Sequence, residues 1–147
     1  MVLLRNKKVG FDYELSDKIE AGIELFGFEV KSLREKRGKL EGGYAIIRGG
    51  EPFVLNIDIP PYQPGNTPKD YDSQRPRRLL LTRKEISKLA GLEQDKGLTI
   101  VPISVYTKNG KLKLELAIAR GKKKHDKRQV IKKRDTERDV RRELKDL

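Results

Sequence analysis

Over several short stretches, apolar side chains recur at every second position, the period of a strand with one buried face. Phe11, Tyr13 and Leu15 alternate with polar neighbours, and Ile19, Ala21, Ile23 and Leu25 resume the alternation after a break at Ser16-Asp17. Tyr44, Ile46 and Ile47 run up to Gly49-Gly50, and Phe53, Leu55, Ile57 and Ile59 follow it, which predicts a hairpin. A second hairpin is predicted at Asn109-Gly110, the pair that a type I′ turn prefers because both central residues need positive φ. Counting outward from that turn pairs Val105 with Leu114, Ile103 with Leu116 and Val101 with Ile118. All six then share one buried face.

The period changes to that of a helix in two places. Phe26, Val30 and Leu33 fall at i, i+4 and i+7, with Gly38 placed to end the helix in the left-handed region. Thr82 and Glu85 form a capping box, Ile86, Leu89 and Ala90 supply an inner face, and Gly97 stops the helix. Residues 60–76 hold five of the seven prolines, so a long surface loop is expected there, of the functional or mobile kind. About six short strands with two or three helices predict a mainly β fold, an OB-like closed antiparallel β-barrel, because closure removes exposed edges.

Composition limits how much can fold. Hydrophobic residues make up 35% of the 147, enough for one core spanning about 100–120 residues. The expected division is a barrel domain over residues 1–120 and a basic tail over 121–147. From Arg120 to Leu147 there are 13 Lys/Arg against 6 Asp/Glu, which is +7 of the chain's net +12. The aliphatic side chains there (Val130, Ile131, Val140, Leu144, Leu147) are too few for a core. The tail is therefore expected to be disordered when free and helical only inside an RNA groove.

A block of like charge suits a polyanion, and the tail lacks the Trp/Phe/Leu face of a membrane-surface helix. Nucleic acid is the expected partner, with no membrane. The absence of cysteine and a single histidine exclude disulfides, thiolate metal sites and His-rich zinc or triad sites, so no metal or cofactor is expected. No nucleophile elbow, phosphate loop or carboxylate cluster with metal spacing is found, which makes an enzyme, such as a nuclease, a poor reading. The opening MVLLRNKK has no apolar run of signal-peptide length, so a cytoplasmic protein is expected.

Which side chains face a nucleic acid can be asked residue by residue. Glu20 falls on the strand face opposite Ile19, Ala21 and Ile23, either as a solvated carboxylate or as an acceptor for a base edge or 2′-hydroxyl. Arg75, Arg77 and Arg78 precede Leu79–Leu81 and read either as a solvated turn or as phosphate and stacking ligands. Leu80 reads as core. Lys108, Lys111 and Lys113 surround the Asn109-Gly110 turn; Lys113 points out of the barrel, and the other two fit edge protection. Tyr44, Phe53 and Tyr106 suit a stacking platform, although core packing is the simpler reading. Tyr62 and Tyr71 in the proline-rich loop carry no ligand signature, and Asn6 alone reads as part of a flexible terminus.

Four stretches carry specific wording: Asn6-Lys7, YELSDKIEAGIELFGFEVKSLR (Tyr13 to Arg34), RPRRLLL (Arg75 to Leu81) and ARGKKKHDKR (Ala119 to Arg128). In this order and spacing they resemble the SsrA-binding protein family, also called small protein B. The resemblance implies an OB-like barrel that binds the tRNA-like domain of transfer-messenger RNA (tmRNA) and escorts it to stalled ribosomes for trans-translation. It implies that the tail enters the small-subunit decoding centre and the empty mRNA channel. It also implies no catalysis by the protein, whose links to alanyl-tRNA synthetase and elongation factor Tu run through tmRNA.

By the same resemblance, tmRNA binding falls to Asn6, Glu20, Leu80 and Lys113, with Arg75, Arg77, Arg78, Lys108 and Lys111 as candidates beside them. Decoding-centre roles fall to Lys122, Lys123, Lys124, His125, Asp126, Lys127 and Arg128. A general RNA chaperone or ribosomal protein would share the charge, but would not need EAG…EVKSLR and GKKKHDKR together.

Overall fold

The computed structural model describes residues 1–95 and 97–121. Strands β1 (Val2–Arg5), β2 (Tyr13–Ile23), β3 (Tyr44–Arg48), β4 (Glu51–Leu55), β5 (Arg77–Leu80), β6 (Leu98–Lys108) and β7 (Lys111–Gly121) are joined by helix α1 (Val9–Asp12) after β1, α2 (Gly27–Arg34) after β2 and α3 (Arg83–Glu93) after β5. All pairs are antiparallel, in the order β1-β6-β3-β4-β5-β2-β7. Because β6 also pairs with β7, six strands close a ring, and β1 lies against the second half of β6 at Ser104–Tyr106. The mainly β, ring-closed architecture of the sequence reading is thus present. Residues 122–147, and with them the expected tail conformation, lie outside the described residues.

Inside the ring, Ile19, Ala21, Val54, Leu79, Val105, Leu114 and Leu116 meet Leu33 of α2 and Leu89 of α3. A smaller cluster of Val9, Val101 and Ala119, with Tyr13 and Ile103 against it, is contributed to by α1. Both predicted hairpin turns form, with positive φ at Gly49, Gly50, Asn109 and Gly110. The capping box of α3 also forms: Glu85 N donates to Thr82 Oγ1 at 3.2 Å, and Thr82 N donates to Glu85 Oε1 at 3.0 Å.

Several expectations are corrected. The pairing across Asn109-Gly110 keeps the predicted register through Val105 with Leu114 and Ser104 with Glu115. A bulge between Pro102 and Ser104 then sets Pro102 opposite Leu116, Val101 opposite Ala117 and Ile100 opposite Ile118. Proline brings no N–H to the ladder and so settles at an irregularity. The bulge turns Val101 and Ile103 toward the small cluster, while Ile100 and Val105 enter the main core. On β3 and β4 the phase is reversed: Ala45 and Val54 are buried, whereas Phe53 and Leu55 are half-buried. Asn56, at φ 62, resets the alternation so that Ile57 and Ile59 are buried beyond it.

The two predicted runs around Ser16-Asp17 are one strand bearing a bulge, and Phe11 belongs to α1. Strands β1 and β5 were not anticipated. Helix α2 ends at Arg34 and is closed by Lys36, not Gly38: Lys36, at φ 61, donates its N–H to Leu33 O, and Arg37 N donates to Ser32 O, which forms a Schellman cap. Gly38 serves a close approach instead, since an added Cβ would lie 2.8 Å from Asp58 O.

Candidate nucleic-acid interface

The strand register gathers residues that are far apart in sequence. Leu80 on β5 stands opposite Gly22 on β2, Gly22 opposite Lys113 on β7, and Lys113 opposite Tyr106 on β6. These four positions form one row across four strands. Their neighbours in sequence, Leu79, Ala21, Leu114 and Val105, point into the core, so the row faces outward. In the adjacent row Glu20 stands opposite Glu115, and Lys108 and Lys111 face each other at the hairpin end.

Each member of this face has a local cause. Leu80 is 52% exposed, which corrects the core reading, because β5 spends its inward positions on Arg77 and Leu79. Its side chain lies across Gly22, where an added Cβ would come within 3.1 Å of Leu80 Cβ. Directly opposed carboxylates repel, yet Lys108 Nζ donates to Glu20 Oε2 at 3.1 Å. That hydrogen bond, with the Lys108 charge, Tyr106 and Lys113, keeps the Glu20 carboxyl below its ordinary range against the opposing pull of burial. Burial, together with the charge of Glu20, pushes the Tyr106 phenol up to about 12. At neutral pH the face therefore offers an ionised carboxylate, a neutral phenol, ammonium groups and an exposed leucine.

The arginines divide. Arg78 is exposed and lies 3.2 Å from Glu51 on β4. Arg77 is wholly buried, and its five N–H groups are spent on Glu29 Oε2 (2.9 and 2.7 Å), Ile57 O, Arg75 O and Ser73 O. It presents no surface to a ligand, so its sequence reading as a direct RNA contact is corrected to a structural one. Arg75 clasps the other side of Glu29 at 2.6 and 3.1 Å, and its guanidinium lies 4.0 Å from the Phe26 ring centroid. Tyr71 joins this centre, with its hydroxyl 2.8 Å from Glu29 Oε2 and 2.7 Å from Ile59 O. The proline-rich loop is thereby pinned to α2, with a 3-10 turn at Pro64–Asn66, and is no loose excursion.

The remaining candidates are placed as follows. Asn6 is held, not frayed: its N donates to Ile103 O at 2.8 Å and its Nδ2 to Pro102 O at 2.9 Å, beside the β6 bulge and away from the Leu80 row. It lines a cavity of about 200 Å³ with Lys8, Tyr13 and Tyr44. Tyr44, Phe53 and Tyr106 are half-buried and none joins the core. Lys122, Lys123, Lys124, His125, Asp126, Lys127 and Arg128 lie outside the described residues. Sequence reasoning missed Gly22 and Glu115 as members of the face. It also missed the outward aim of Tyr106, which the Asn109-Gly110 register signals by setting Tyr106 opposite Lys113.

Among the described residues no helix is long and apolar enough to cross a membrane. A family model described as SmpB protein matches residues 3–146. The SsrA-binding protein of Acetivibrio thermocellus is 49% identical over 145 residues, covering 99% of this chain and 94% of that one. That of Thermosipho melanesiensis is 48% identical, with 98% of each chain covered. That of Gloeothece citriformis is 47% identical over 140 residues, 95% of this chain and 90% of that one. A chain solved in work on tmRNA-SmpB, "a journey to the center of the bacterial ribosome", superposes with a TM-score of 0.70 at 40% identity, over 84% of this chain and 86% of that one. A match over almost the full length, by sequence and by fold, places the chain in the SmpB family of SsrA-binding proteins.

Proposed function

We infer that this chain binds tmRNA and delivers it to stalled ribosomes in trans-translation. The observation that carries the site assignment is the row Leu80–Gly22–Lys113–Tyr106 with Glu20 beside it: positions separated by up to some ninety residues converge on one outward face. That face is the seat for the tRNA-like domain. Lysines 108, 111 and 113 attract its phosphates, Glu20 accepts from a base edge or 2′-hydroxyl, and Leu80 gives an apolar contact. Arg78 adds charge at the rim, and Asn6 acts from the β6 bulge. Arg77, wholly buried, acts through the surface it supports.

Residues 1–120 form the RNA-seating body, and residues 121–147 the segment that occupies the decoding centre and mRNA channel. The tail's positive charge supports this role, with Lys122 to Lys124, His125, Asp126, Lys127 and Arg128 working among ribosomal phosphates. The protein itself performs no bond-making step: tmRNA carries the groups that alanyl-tRNA synthetase and elongation factor Tu recognise. Ribosome rescue sets the workplace as the cytoplasm. Titrating the tRNA-like domain into isotope-labelled protein tests the surface by NMR. The amides of Glu20, Gly22, Tyr106 and Lys113 should shift together; shifts confined to α3 would refute the assignment.

A further inference from the structure

Phe26 is 48% exposed at the N-cap of α2, a position that normally takes Ser, Thr, Asp or Asn. Its side chain caps nothing. The helix end is served instead by Glu29, whose Oε1 accepts from Phe26 N at 2.7 Å. The local fold therefore has no need of an aromatic ring there. The ring is nonetheless held in place, 4.0 Å from the Arg75 guanidinium and 5.4 Å from Phe28, which packs edge-on against Tyr71. Arg75 is fixed in turn by two hydrogen bonds to the buried Glu29 carboxylate.

We propose that Phe26 and Arg75 form a preorganised stacking platform for one unpaired RNA base. A ring and a planar cation are the two surfaces on which splayed bases stack, and fixing both beforehand removes the entropy cost of assembling them. The platform adjoins the proposed tmRNA face. Residue 26 lies three positions past the end of β2 at Ile23, and Glu24 N donates to Arg78 O across to β5, beside Leu80. The inference rests on the assignment of that face, and it adds a sequence-tolerant stacking contact to the charged, polar and apolar contacts given there.

The chain has no tryptophan, so Phe26→Trp introduces a single, selectively excitable tryptophan at the platform. The full chain as wild type, Phe26→Leu, Phe26→Trp and Lys113→Ala is titrated with the tRNA-like domain of tmRNA at two salt concentrations. Phe26→Leu, which keeps apolar cover over Arg75 but cannot stack, should weaken binding about tenfold at both salts. Phe26→Trp should bind within about twofold of wild type and its emission should be quenched by the RNA. Unquenched emission, or wild-type affinity for Phe26→Leu while Lys113→Ala is weakened, overturns the platform and leaves the sheet face standing. Wild-type affinity for both Phe26→Leu and Lys113→Ala overturns the platform and the sheet face together.

Discussion

At the residue scale the chain's most consequential interaction is a buried carboxylate between two arginines. Burial alone would raise the Glu29 pKa, but hydrogen bonds from Arg75, Phe26 N and Tyr71 and the charge of Arg77 outweigh it and hold it below the ordinary 4.5. Glu29→Gln leaves the Arg77 guanidinium buried without its counter-charge and should cost about 3–5 kcal/mol in urea unfolding. A lowered folded-state pKa means that the stabilisation is complete above pH 4.5 and is lost as pH falls through the folded value. Wild type should therefore lose stability below about pH 4.5, and the Gln variant should lack that component of the acid limb. None of this was legible beforehand. Glu29 sits in a polar-looking helix turn, Arg75 and Arg77 in a charged stretch, and only a fold that joins residues 29, 71, 75 and 77 reveals them as one centre. Glu20 and Lys113, in contrast, were readable, because strand alternation alone put both outside.

At the element scale, the alternation and turn chemistry located five of the seven strands with their faces partly right, and α3 almost entirely. Local rules failed where an unforeseen positive φ or a strand proline broke the alternation. Asp17, Asn56 and Pro102 each shift the phase, and periodicity carries no record of a one-residue slip. Strand β5 escaped detection because Arg77 occupies an inward position that sequence patterning reserves for apolar side chains. The close crossing of β2 and β5 yields a separable prediction. Gly22→Ala places a methyl group 3.1 Å from Leu80 Cβ and should displace that side chain. Affinity for the tRNA-like domain should fall by roughly threefold to tenfold, on the order of 1 kcal/mol, with the thermal midpoint nearly unchanged. A wild-type dissociation constant would show that Leu80 does not contact the RNA.

For the whole molecule, charge is distributed unevenly along the sequence. The ring of strands presents a mixed face of carboxylate, phenol, leucine and lysine, whereas residues 120–147 carry +7 of the net +12. A chain ending at Gly121 keeps all of β7 and should bind the tRNA-like domain within about threefold of the full chain, yet fail to tag stalled peptides in a reconstituted translation system. Tagging by the shortened chain would contradict the assignment of decoding-centre roles to Lys122–Arg128. The mainly β fold class was legible from periodicity, but the convergence of residues 20, 22, 80, 106 and 113 needed the closed register. The most direct test of that convergence is the dissociation constant of the tRNA-like domain for Glu20→Ala, Lys113→Ala and a control, Lys88→Ala on α3, at one salt concentration. Losses of about tenfold for the first two and none for the control are predicted. Equal affinities for all three would contradict the proposed seat.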